Sequence, residues 1–262
     1  MTDPDAPAGA PDAARQDAAG RGAAGGDAAV VDAAVLDAAG LARLAAWLSP
    51  AYPVGGFAYS HGLEWAIDAG DVADAPGLER WLADLIALGA GRADAVLIAQ
   101  AWAAPEDPAV AERARALAAS RERLLETEQP GAAFAALTAS AWGDGTGEPG
   151  PWPVAVGRAA RAAGLPLAPV VTLALQGFAS NLAGAAVRLV PLGQTEAQAV
   201  IARLAPLIAT VAAEAIAAAE RAACAPDGDI AAAALDAQAG ACFRSDIAAM
   251  RHETQPVRLF RS

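Results

Sequence analysis

A chain of 262 residues with a net charge of −12 and no lysine among its 18 basic residues excludes several functions before any motif is read. A Walker-type phosphate loop and a Schiff-base enzyme both need a lysine, so both are closed to the chain acting alone, and the acidic balance disfavours nucleic acid as the main partner. Abundant alanine, 5% aromatics and scattered β-branched residues predict an all-α fold, a single compact multi-helix domain of about eight to ten helices.

Residues 1–28 hold seven charges and one large apolar side chain, Met1. Such a segment cannot offset its ordering entropy and reads as a disordered extension. The helical domain is expected over 29–245, with a mobile C-terminal tail over 246–262. Apolar spacing at Val31, Val35, Leu41, Leu44 and Leu48 predicts a helix, strongest over 41–48 and ended by Pro50. The next stretch, S-P-A-Y-P-V-G-G-F-A-Y-S-H-G-L-E over 49–64, carries two prolines, three glycines and three aromatics. Pro53, Gly55 and Gly56 read as a rigid turn and sharp reversal that sets Phe57 and Tyr59 on a stiff loop. Its aromatics either plug a core or present a surface to another protein. Ser60 is a fitting N-cap for a short helix that Gly70 stops.

Asp74 with Pro76 opens a further helix, Gly89 and Gly91 break it, and a continuation runs over 93–104. Asp107-Pro108 opens a helix expected to run through Leu117, Leu124 and Leu125 until Pro130-Gly131 interrupts it. Within it, R-E-R-L-L-E-T-E over 121–128 is amphipathic: either a solvated face or, through Arg121 and its neighbours, a contact surface. The breaker run over 143–153 separates two halves of the body.

Residues 162–187 carry no charge, which by length admits a membrane span. Two prolines and the stripe Thr172, Gln176, Ser180 favour a buried central helix instead, with Gly177, Ser180 and Gly184 admitting a close neighbour. Val200, Leu204, Leu207, Ile208, Val211 and Ile216 line one face of a long amphipathic helix, a packing spine or a dimer seam. Pro226-Asp227-Gly228 turns the chain, a short helix is expected over 230–238, and another turn over 246–251. Residues 244–262 carry four arginines against Asp246 and Glu253, a mildly basic tail on an acidic body.

Catalytic constellations are sparse. His61 and His252 are the only histidines, neither lies in a metal-binding motif, and both read as capping or surface residues. Glu64, Glu122, Glu126 and Glu128 could supply an acid and a base in almost any helical protein. Cys224 and Cys242 form no C-x-x-C and no leader opens the chain, which fits a reduced, cytoplasmic protein.

Three segments carry a resemblance. The 49–64 stretch resembles a motif of the UreF family of urease accessory proteins. L-Q-G-F-A-S-N-L-A-G-A-A-V-R-L-V-P-L-G-Q over 175–194 and M-R-H-E-T-Q-P-V-R-L-F-R-S over 250–262 match the family in the same order, with Pro256 standing where members often carry an aromatic. The resemblance implies a non-catalytic scaffold that bridges UreD (also called UreH) and the nickel GTPase UreG as nickel enters the urease apoprotein. It implies a homodimer with no tightly bound cofactor, nickel and GTP being carried by the partners, and neither nucleic acid nor membrane as a partner. Phe57, Tyr59, Arg121, Arg251, Arg258, Leu259 and Phe260 are the expected partner contacts. Arg188 and Gln194 match the middle motif, yet on local grounds they only finish a helix and hold a turn. The tail is expected to order on binding, so deleting 250–262 would spare the fold. Two other readings stay open: a helical enzyme built on Glu64 and His61, and a ligand-sensing module unrelated to urease.

Overall fold

Several helices begin where a short polar side chain takes a backbone N–H that would otherwise lack a partner. In the computed structural model, which describes residues 36–143, 147–224 and 242–262, Asp37 accepts from Gly40 N at 2.7 Å and opens α1 (Ala38–Trp47). The short α2 (Leu63–Asp68) follows, and Asp74 then accepts from Gly77 N at 2.7 Å to open α3 (Ala75–Leu88). Gly89 separates α3 from α4 (Ala90–Ala103), as expected. Asp107 opens α5 (Pro108–Ala116), and Ser120 opens α6 (Arg121–Trp142). The rest are α7 (Trp152–Ala162), α8 (Leu167–Leu189), α9 (Gln194–Ala223) and α10 (Phe243–His252), with no strand among the described residues. The fold is all-α, as composition predicts.

Three elements differ from their sequence expectation. The helix opened by Asp107 ends at Ala116, because Ser120 is a better start than the intervening alanines are a continuation. Pro130 does not interrupt α6. A proline inside a helix costs a hydrogen bond and about 3 kcal/mol, but Pro130 is buried where α6 packs on α7, and that packing overrides the local break. The last turn expected over 246–251 is a full helix, α10. The extension 1–28, the turn at Pro226 and the helix expected over 230–238 lie outside the described residues, as do 144–146 of the breaker run.

The core is organised around α8, which buries Val170, Ala174, Leu175, Ala179, Leu182 and Ala186 and packs against α9, α4, α3 and α2. Both α8 and α9 are long and apolar enough to cross a membrane. In this fold the apolar face of α8 is spent on its neighbours, while Thr172, Gln176 and Ser180 stay half-buried on the other side. At Gly177 a side chain would come within 2.6 Å of the Leu48 carbonyl, so the small residue admits the chain leaving α1. Gly184, expected to play the same part, faces open space. Val200, Leu204, Ile208 and Val211 of α9 are buried, which makes that helix a packing spine.

Candidate functional site

The chain leaves α1 through turns over 49–55, where Gly55 takes a left-handed φ of +77°. A 3₁₀ turn at Gly56–Ala58 then pushes Phe57 outward, 63% exposed. Two consecutive left-handed residues, His61 (φ +58°) and Gly62 (φ +74°), reverse the chain into α2. Gly62 is needed twice over, because a Cβ there would also lie 2.7 Å from the backbone nitrogen of Ala249 on α10. Ser60 accepts the Glu64 N–H at 3.2 Å, the capping role expected of it, although Gly62 is the geometric N-cap.

Against this loop lies the tail, seated rather than free. The Arg261 N–H donates to the Ala58 carbonyl at 2.8 Å, and the Ser60 N–H donates to the Ser262 carbonyl at 2.9 Å, with the Ser60 hydroxyl donating to the same oxygen. The Glu64 carboxylate accepts the backbone N–H groups of Leu259 at 2.6 Å and Phe260 at 2.9 Å, and meets His252 Nε2 at 3.0 Å. On the other side of the ring, His252 Nδ1 lies 2.6 Å from Glu122, whose second oxygen takes Arg258 at 2.5 Å. Both ring nitrogens of His252 therefore face carboxylate oxygens, one on each side of the ring. Glu253 accepts the Arg121 N–H at 2.8 Å and thereby caps the positive end of α6.

A second polar set lies beside the first. His61 Nδ1 is 3.2 Å from Glu126, which also pairs with Arg123 at 2.7 Å and accepts from the Ser262 hydroxyl at 2.9 Å. Burial pushes the Glu126 carboxyl up, but Arg123 and His61 outweigh it and hold the group well below the usual carboxylate range. Burial, with Arg123 adding to it, pushes His61 down against the pull of Glu126. The ring is therefore neutral near pH 7, and its contact with Glu126 is an Nδ1–H hydrogen bond rather than an ion pair. Among the described residues no three His, Cys, Asp or Glu side chains are placed to share a metal ion.

The middle motif joins the same face. Asn181 donates to the Gly56 carbonyl at 3.1 Å and Arg188 to the Phe57 carbonyl at 3.0 Å, while the Arg188 guanidinium lies 4.4 Å from the centre of the Phe260 ring. Arg188 does more than finish a helix: it clips loop and tail together. Gln194 begins α9 and makes no such contact. Loop, tail, α8 and the start of α6, four separate sequence signals, converge on one surface.

Several expectations change here. His252 is not a surface residue but fully buried, and His61 is buried as well, each drawn in by carboxylates. Tyr59 and Phe260, expected to meet a partner, are buried in this chain; Tyr59 donates to Gln129 at 2.7 Å and Phe260 joins the main core. The tail is not mobile here, because its backbone donors find Glu64 and its aromatic ring finds the core. Deleting 250–262 would therefore remove core residues rather than spare the fold. Phe57, Arg121, Arg251 and Leu259 remain exposed, and Arg258 is exposed while tied to Glu122. Both oxygens of Glu64 are engaged by the tail, which leaves it no free role as acid or base. Sequence reasoning missed Val257, 82% exposed, and the outward stripe Phe243, Ile247, Met250 on α10, whose i, i+4, i+7 spacing was legible.

The UreF family model matches residues 72–205. A relative from Cereibacter sphaeroides (strain KD131), named urease accessory protein UreF, is 54% identical over 222 residues, covering 85% of this chain and 98% of the relative. Proteins of the same name from Roseobacter denitrificans and Rhodopseudomonas palustris (strain BisA53) are 48% and 44% identical, covering 84% and 85% of this chain and 92% and 93% of their own lengths. Three motifs in order, an all-helical body and near-complete coverage of such relatives have one reading: the chain belongs to the UreF family of urease accessory proteins.

Proposed function

We propose that this chain is a non-catalytic cytoplasmic adaptor in urease maturation. It bridges UreD (UreH) and the GTPase UreG while nickel is delivered to the urease apoprotein, and it works as a homodimer. Nickel and GTP belong to the partners; this chain binds neither tightly. The observation that carries the reading is the face built where loop, tail and α8 meet. There Phe57, Val257 and Leu259 project on either side of a hydrogen-bonded loop and tail, flanked by Arg188, Arg258 and Arg261, on a protein that is otherwise acidic. Apolar anchors beside arginines are the chemistry of interface hot spots, and a basic face on an acidic body steers an acidic partner to one orientation.

Family membership sets aside the reading as a module unrelated to urease. Co-expression with UreD (UreH) and UreG, followed by sizing, tests the adaptor: all three are expected to comigrate, and urease activity is expected to fail when this chain is deleted. A chain that elutes alone while both partners still find each other would overturn it.

A further inference from the structure

The loop that shapes the outer face also walls a pocket of about 120 Å³ that opens to solvent on the loop side, close in volume to the ~150 Å³ that takes up benzene in an engineered protein core. Trp47 at the end of α1, Tyr52 and Tyr59 on the loop, Trp152 at the start of α7 and Phe178 on α8 form its aromatic walls. Most of its polar side chains are engaged: Tyr52 with Thr138, Tyr59 with Gln129, Asn181 with the loop, and Arg123 with Glu126. Asp94 on α4 and Thr127 on α6 have no hydrogen-bond partner among the described residues, and neither has the buried Trp47 Nε1–H. Asn181 spends its amide nitrogen on the loop carbonyls, leaving its oxygen as a further acceptor.

Charge completes the description. Two carboxylates, Asp94 and Glu126, stand against one guanidinium, Arg123, and Glu126 is already matched to Arg123 at 2.7 Å. Asp94 is the charge left over. Asp94 is half-buried, so its carboxylate is only partly solvated and has no ion-pair partner, and an aromatic pocket with a few convergent polar groups is the general form of a small-molecule site. A neutral or anionic occupant leaves Asp94 unmatched. Among the described residues no three His, Cys, Asp or Glu side chains converge here to hold a metal ion. Aromatic walls, by contrast, attract cations.

We propose that this cavity binds an organic cation, an alkylammonium or guanidinium group on a small apolar body, with Asp94 as its counter-ion and the aromatic walls around it. The cation comes from one of two sources: a free amine, or an arginine or lysine side chain of a partner protein entering beside Pro50 and Val54, which line the loop side of the cavity. Burial pushes Asp94 up to about 6, with Glu126 adding to the rise and Arg123 opposing it. Cation binding therefore tightens as pH rises through that value.

Calorimetric titration of the full chain with benzylamine and with benzyl alcohol, its neutral isostere, tests the site. At pH 7.5 benzylamine is expected to bind about ten- to a hundred-fold more tightly, the worth of a charge-assisted hydrogen bond. Asp94→Asn is expected to erase that preference while leaving benzyl alcohol binding unchanged, which shows the cavity intact. Absence of saturable benzylamine binding, equal affinities in the native chain, or a preference that survives Asp94→Asn would each overturn the proposal. Repeating partner capture at saturating benzylamine separates the sources: lost capture identifies a partner's side chain, and unchanged capture identifies a free amine.

Discussion

Glu64 and Phe260 lie 196 residues apart in sequence, yet the Glu64 carboxylate accepts the Phe260 backbone N–H at 2.9 Å. The same carboxylate takes the Leu259 N–H and His252, so one side chain of the short α2 ties α10 and the residues after it together. A carboxylate shared by two backbone donors and an imidazole is among the strong polar arrangements available to a buried group.

Glu64→Ala is expected to lower stability by roughly 2–4 kcal/mol, because it leaves His252 Nε2 and two backbone donors without their acceptor while Glu122 still holds the other ring nitrogen. Hydrogen exchange at residues 259 and 260 should accelerate with it. Unchanged exchange in the variant would show that the tail is held by something other than this carboxylate.

Gly62→Ala is expected to cost more than about 2 kcal/mol, since it combines left-handed backbone with a collision against α10. Denaturant unfolding measures the loss, and proteolysis near Ala249 reports the loosened helix. A variant as stable as the parent would mean that α10 shifts without penalty.

Phe57→Ala and Leu259→Ala are expected to leave stability within about 0.5 kcal/mol, as both side chains are exposed. If they anchor a partner, each should weaken capture of UreD (UreH) or UreG by about 1–3 kcal/mol. Arg258→Glu is a poorer probe of contact, because it also places a second carboxylate beside Glu122. Full capture by the Phe57 and Leu259 double variant would move the partner surface elsewhere, the α10 stripe being the next place to look.

Asp94→Asn is expected to stabilise the free chain at pH 7 by about 1–2 kcal/mol. The folded-state value is raised to about 6, so the native aspartate costs nothing below about pH 4, grows costly as pH rises from there, and carries its full cost above 6. The gain should accordingly vanish near pH 4. Parallel urea curves at the two pH values decide it, and an equal effect at both would locate the cause in packing rather than charge.

The pair His61 and Glu126 acts with the opposite sign. With His61 lowered, the unfolded chain binds a proton first as pH falls below 6.5, and stability drops there. Glu126, held low, adds a further loss below about pH 4.5 as the unfolded carboxylate protonates. Removing the first step with His61→Asn, followed by thermal melts from pH 7.5 to 5, should flatten that part of the profile. A profile still as steep as the parent's would assign the step to other groups.

Much of the fold was legible in residue order. Asp74 and Asp107, each followed by a proline, were readable as helix starts, whereas Asp37 and Ser120 cap their helices the same way without a proline to mark them. The period of α8 and α9 was likewise readable, because burial on one face leaves a 3.6-residue pattern. Pro130 misled for the converse reason: a local helix breaker inside α6 is tolerated by packing against α7, a partner that sequence spacing does not reveal.

By itself, the sequence determined an all-helical body, the starts of the helices that Asp74 and Asp107 open, a stiff loop, and membership of the UreF family through three ordered motifs. Only the tertiary structure decided that His252 is buried between Glu64 and Glu122, that Tyr59 and Phe260 face inward, and that Asp94 lies unpaired beside an aromatic cavity. The physical reason is range. Caps and periodicity are settled within a turn or two of chain, whereas the environment of a buried charge depends on groups more than a hundred residues away, brought close by packing.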